Sequence, residues 1–186
     1  MKRLVLFGAL LAGACGTTTD DRPRTLAYIT DTILAPTCAS AECHSAFKRQ
    51  VGDEFDTVDA ARRSIVGNGL VLPDDAADPA GSLLIQSLTV GAPSILSPGS
   101  GNVRMPYDAP MPDADIALIE AWIADHAPGA QCLVDTQGHA CIFMHDGAGK
   151  TVSQLVQCSA DGNKDSVIMT CPVSCTVTNG VAQCGQ

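Results

Sequence analysis

Ile33-Leu34-Ala35-Pro36-Thr37-Cys38-Ala39-Ser40-Ala41-Glu42-Cys43-His44 runs an apolar stretch into two cysteines with four residues between them and a histidine directly after the second. Upstream, Leu26, Ile29, Ile33 and Leu34 recur at helical spacing and Pro36 stops the run, so a first helix leads into Cys38. Downstream, a second helix is expected over Thr57 to Val66. Thr57 caps it, Val58, Ala61, Ile65 and Val66 line one side, and Gly67 ends it. A third is expected over Ala80 to Leu88, entered through Asp78-Pro79, and Gly91 to Pro110 reads as a long Gly/Pro/Ser-rich loop. The clearest helix is Asp113 to Asp125, where Ile116, Ile119, Trp122 and Ile123 form an apolar stripe and Pro112-Asp113 give the start signal. His126-Ala127-Pro128-Gly129 terminates it.

After Gln131 the composition changes. Cys132, Cys141, Cys158, Cys171, Cys175 and Cys184 punctuate strand-like runs at Cys141 to His145, Thr151 to Cys158 and Ser166 to Thr170. Turn signals fall at Asp146-Gly147, Asp161-Gly162 and Asn179-Gly180. About fifty residues cannot build a self-sufficient core, so three disulfides are the expected staples. Six cysteines allow about 15 pairings, and spacing does not choose among them. Two tail histidines, His139 and His145, raise a zinc reading with Cys132 and Cys141, but an oxidising compartment favours disulfides.

The 186 residues carry 11 basic and 20 acidic side chains, a formal charge of -9 with no basic run, which makes nucleic acid an unsuitable partner. Aromatics are 4% of the chain while Gly and Pro number 17 and 11, so the core is expected to be small, aliphatic and broken by turns. Lys2-Arg3 followed by apolar Leu4 to Leu11 has the form of an export signal and is too short to span a bilayer. The following Ala12-Gly13-Ala14-Cys15 resembles the lipobox of bacterial lipoproteins, in which the chain is cut before a cysteine that carries diacylglycerol. That resemblance implies a signal peptide over 1–14, lipidation at Cys15 and a polar tether over 15–24. It also implies a location in the periplasm or at the cell surface, anchored to a membrane, the outer one where Gly16 follows in place of an Asp.

The form C-x4-C-H at Cys38, Cys43 and His44 carries a specific chemistry. Two thiols can add across the two vinyl groups of a haem while the adjacent imidazole rises onto the iron from the same side. Two cysteines and a histidine fall in this register by composition about one time in a hundred. The alternative is a short Cys38–Cys43 disulfide beside an incidental histidine.

A second pattern accompanies the first. Ile33-Leu34-Ala35-Pro36-Thr37-Cys38 is followed by Pro73 and Asp78-Pro79-Ala80-Gly81-Ser82-Leu83-Leu84, then Met105-Pro106, then Ala121-Trp122-Ile123. In order and spacing, Leu26 to Ala130 resembles the small single-haem c-type cytochrome domains of planctomycete and myxobacterial exported proteins. The resemblance implies a mainly α cytochrome c-like domain over 25–130, followed by the disulfide-rich β module over 131–186. It implies one covalent haem c on Cys38 and Cys43, with His44 and Met105 as axial iron ligands; His126, Met111 or an open position are the alternatives to Met105. Arg104, Arg62 and Arg63 could meet haem propionates, although a solvated or salt-bridged arginine is the commoner fate, and Trp122 is expected to pack in the core.

The expected function is electron transfer by a lipid-anchored cytochrome, not an enzyme, whose acidic surface suits a redox partner with a basic docking surface. A haem-free, cysteine-rich surface lipoprotein acting as a binding or structural module is one alternative, and a haem peroxidase or oxidoreductase subunit is another.

Overall fold

The computed structural model describes residues 20–89, 92–93, 102–106, 109–146 and 148–185. The export signal of 1–14 and the lipidation at Cys15 lie outside the described residues.

The leader helix departs from expectation at its proline. α1 (Leu26–Ile29), capped by Thr25 Oγ1, passes into a π turn (Thr30–Leu34) and on through α2 (Ala35–Cys38). Pro36 therefore does not stop the helix before Cys38. It sits at the start of a new segment, just after a wide turn in which Ala35 N–H donates to the Thr30 carbonyl. Such a bulge relaxes the crowding between a proline ring and the preceding turn. Ile29, Thr30, Ile33 and Leu34 are buried along the inner side.

α3 (Val58–Gly67) begins as read, with Thr57 Oγ1 accepting from Ala60 N–H, and buries Ala60, Ala61, Ser64 and Ile65. α4 (Leu83–Thr89) starts later than the expected Ala80, because Pro79–Gly81 forms a tight 3-10 turn and Ser82 Oγ then accepts from Ile85 N–H as a cap. α5 (Asp113–Ala124) buries Leu118, Ile119, Trp122 and Ile123, and Trp122 Nε1 donates to the Pro128 carbonyl at 3.1 Å. The stretch read as one long loop contains a two-residue antiparallel pairing of β1 (Ala92–Pro93) with β2 (Asn102–Val103).

The second half is antiparallel throughout. β3 (His139–His145), β4 (Thr151–Cys158) and β5 (Lys164–Thr170) lie in that order, and β3 meets β4 in an unbroken register from His139↔Gln157 to His145↔Thr151. β6 (Cys175–Thr178) and β7 (Val181–Cys184) form a hairpin whose Asn179 and Gly180 both have positive φ, the geometry of a type I′ turn. Three disulfides join Cys132–Cys158, Cys141–Cys175 and Cys171–Cys184.

The expectation of a mainly α fold is overturned. Among the described residues the longest α-helix has 12 residues, 3-10 and π turns interrupt the helical elements, and the regular elements from His139 onward are all strands. The chain is a mixed, disulfide-rich fold of short helices and small antiparallel sheets. Glycine and proline bound the short helices: Gly67 ends α3, Pro79–Gly81 delays α4, and Pro128 and Gly129 follow α5.

The two halves are fastened together. Arg62 Nε donates to the Gly129 carbonyl at 2.7 Å and Nη2 to the Asp161 carbonyl at 2.9 Å, while Nη1 pairs with Asp59. Gly129 N–H donates to Asn163 Oδ1 at 2.7 Å, and Gln131 N–H donates to the Gly162 carbonyl at 2.9 Å. The end of the stretch read as a tether is also held: Arg22 pairs with Asp115 and Arg24 with Asp125, both on or beside α5.

Candidate functional site

Cys38 ends α2, and the chain then turns back so that His44 N–H donates to the Cys38 carbonyl at 3.1 Å. That bond closes a loop with Cys38 at one end and Cys43 and His44 at the other. A second set of backbone bonds fixes the far side: Gln50 N–H donates to the Cys43 carbonyl at 3.0 Å and Phe55 N–H to the His44 carbonyl at 2.8 Å. The spacing of the three residues thus becomes one turn anchored on both flanks.

Both thiols are free and half-buried, whereas the other six cysteines of the described chain are in disulfides. Cys38 packs against the helical core, and burial together with the neighbouring Cys43 pushes its thiol up to about 11. It is therefore held as a neutral thiol rather than a reactive thiolate at neutral pH.

The His44 ring stands edge-on to buried Phe55, with centroids 5.4 Å apart and planes 61° apart. Its Nδ1 is buried without a hydrogen-bond partner. Among the described residues no hydrogen bond uses Nε2 either, which leaves that nitrogen available to a ligand. Nearby, Asp53 is 7% exposed and accepts from Asn68 Nδ2 at 2.7 Å. Burial pushes its carboxyl up, while Asn68 and the neighbouring His44 pull it back. Ser64 Oγ accepts from Glu54 N–H and donates to the Glu54 carbonyl, and Glu54 pairs with Arg49. Phe47, three residues past His44, is 83% exposed and Val51 37%, so apolar surface flanks the turn.

Met105 follows β2, is half-buried, and its N–H donates to the Ser87 carbonyl at 2.8 Å, which ties it to α4. The alternatives differ in kind: Met111 is 3% exposed inside the helical core, and His126 is exposed just beyond the end of α5. Arg62 is engaged at the junction, Arg63 is exposed and Arg104 half-buried. Trp122 is fully buried in the core. Among the described residues no cluster of three His, Cys, Asp or Glu side chains has metal-holding geometry, so the tail histidines gather no site. His145 instead faces Asp74, its Nδ1 3.0 Å from Oδ2.

Phe55 and Asp53, the latter held by Asn68, are the surroundings of His44 that sequence reading misses. No pattern marks them, because Phe55 and Asp53 meet His44 only after the 44–55 loop closes. Comparison with protein-family models, with curated proteins and with solved structures found no match for this chain.

Proposed function

We propose that the Cys38–His44 turn is a covalent c-type haem attachment site and that the protein carries single electrons outside the cytoplasm. The observation that carries this reading is the pair of free thiols. In a chain whose other described cysteines are all paired, two remain as thiols on one closed turn, with an imidazole at its edge. The residues fit the group. The His44 Nδ1 is buried, Nε2 is unengaged, and Phe47 and Val51 offer apolar surface beside the turn.

When bound, the haem supplies an iron that cycles by one electron. Addition of each S–H across a vinyl group is self-balanced, sulfur going to one carbon and hydrogen to the other. The neutral Cys38 thiol suits that step because it resists adventitious oxidation until attachment. His44 would hold the iron, with Phe55 standing edge-on to its ring. The resemblance names Met105 as the distal ligand, a soft thioether that would favour the reduced iron. The acidic chain calls for a basic redox partner, and the lipobox resemblance supplies a membrane anchor at Cys15.

A haem-free binding module is the second reading. It is favoured by the fact that a groove of about 440 Å³ lies between the two halves and is not lined by His44.

Expression with a cytochrome c maturation system followed by oxidised and reduced absorption spectra separates the two. A Soret band that survives denaturation and disappears in His44→Ala is the expected result. Absence of any Soret band overturns the proposal. A haem spectrum lacking the methionine-to-iron charge-transfer band removes Met105 from the ligand set and opens the site to small ligands or peroxide chemistry.

A further inference from the structure

The groove between the halves is lined by apolar residues and by His126, Gln131 and Lys164. Its floor is aliphatic, with Val71, Ile123, Ala130 and Ile142 all under 9% exposed. Its rim carries one half-exposed apolar side chain from each half, Leu72 at 39% and Phe143 at 48%. Two residues beyond each of them, His145 N–H donates to Asp74 Oδ2 at 2.6 Å and joins β3 to the helical half. Gln131 acts as a bracket: its Nε2 donates to the His126 carbonyl at 2.7 Å and its Oε1 accepts from Lys164 N–H at 2.8 Å. His126 and Lys164 both line the groove, and Gln131 joins their backbones.

His126 sits at φ 65, in the left-handed region where a helix C-terminus ordinarily takes glycine. Lys164 is exposed and makes no ion pair among the described residues. The one carboxylate in the lining, Asp125, is already paired with Arg24 at 3.0 Å. In a chain with 20 acidic and 11 basic side chains, an apolar groove lined also by an unpaired lysine and a histidine is complementary to an anion with an apolar body.

We propose that this groove binds a small amphipathic anion, a medium-chain carboxylate whose alkyl body lies on the aliphatic floor and whose head group meets Lys164 and His126. Its volume of about 440 Å³ falls in the usual range for small-molecule sites. The site is independent of the haem reading.

The test is calorimetric titration of the purified full chain with decanoate below its micelle concentration, with decan-1-ol in parallel. Saturable one-to-one binding of decanoate is expected, and Lys164→Glu weakens it by about tenfold, the size of one charge-assisted contact. Phe143→Asp weakens it at least as much, and Leu72→Ser on the opposite rim serves where the β3 variant does not fold. Arg63→Glu, an equal charge change on an exposed face of α3, leaves the affinity within about twofold. Three outcomes overturn the proposal: no saturable binding, equal affinity for decan-1-ol, or affinity unchanged by both the Lys164 and the rim variants.

Discussion

In the helical half, nineteen buried side chains from Leu26 to Ala130 form one cluster, whereas the cluster of the β half has five members, two of which are cysteines. β5 has every residue exposed, including Val167, Ile168 and Met169. The first region is therefore held by burial, at about 1.5–3 kcal/mol for each large aliphatic side chain removed from water. The second buries too little for that and is held by crosslinks that restrict its unfolded chain. The difference explains how cysteine is used. Where burial suffices, Cys38 and Cys43 need no partner and are left for other chemistry; where it does not, all six cysteines are committed.

The sharpest way to break this contrast is to remove a crosslink. Cys141–Cys175 closes the longest of the three loops, 34 residues against 26 and 13. Replacing both cysteines with Ala is expected to destabilise the β half by about 4 kcal/mol, against about 3 for the Cys171–Cys184 pair. Limited proteolysis across β3–β7 measures the loss. The single tryptophan, Trp122, lies in the helical half, so its fluorescence reports that half alone. A Trp122 transition that falls as far as the proteolytic one would make the chain one cooperative unit and end the comparison.

The converse variant is Ile119→Ala. Ile119 is fully buried on α5, and truncation there removes about 2–5 kcal/mol through lost burial and the cavity left behind. Urea unfolding followed at Trp122 should register that loss with the disulfides intact. A loss under about 1 kcal/mol would mean that burial is not what holds the helical half.

How far each half was legible follows from the same physics. α5 and the Thr57 cap were readable because a 3.6-residue stripe and a capping side chain are local signals. β3, β4 and β5 were readable to within two residues for the same reason, and so was the need for three disulfides; β1, β2, β6 and β7 were not marked as strands. Their pairing was not, because Cys141 meets Cys175 only through the packing of β3 against the β6–β7 hairpin. The mainly α expectation failed because apolar spacing marks helices and is silent about the turns at Thr30–Leu34, Pro73–Ala77 and Pro79–Gly81 that shorten them. At the candidate site, Cys38, Cys43 and His44 were visible as a motif. Asp53, Asn68 and Phe55 were not, since nothing local links them to His44.

Gly162 tests the seam between the halves. Its φ is +85, and a Cβ there would run into the Arg62 side chain and come within 2.6 Å of the Gly129 carbonyl. Gly162→Ala should cost about 1–3 kcal/mol through backbone strain and displacement of the Arg62 bridge. The comparison predicts that the loss appears in both the Trp122 signal and the proteolytic signal, because the seam belongs to neither half. A loss confined to one signal would assign the seam to that half.

The smallest effect concerns the surroundings of His44, where burial works against a charge. Asp53 is 7% exposed, and burial raises its carboxyl above the usual Asp value despite the Asn68 bond and the neighbouring imidazole. Between the unfolded and the folded value the folded chain thus keeps a proton that the unfolded chain has released. The stability from that proton is present below the unfolded value and is lost as the pH rises through the folded one. Asp53→Asn removes the buried charge and keeps an oxygen for Asn68. It should therefore raise the urea midpoint at pH 7, by less than Gly162→Ala lowers it, and should leave the midpoint unchanged near pH 3. A variant less stable than the parent at pH 7 would reverse the argument: the charge would then be supporting the His44 turn, and the helical half, like the β half, would depend on something other than burial at the one place where its cysteines stay free.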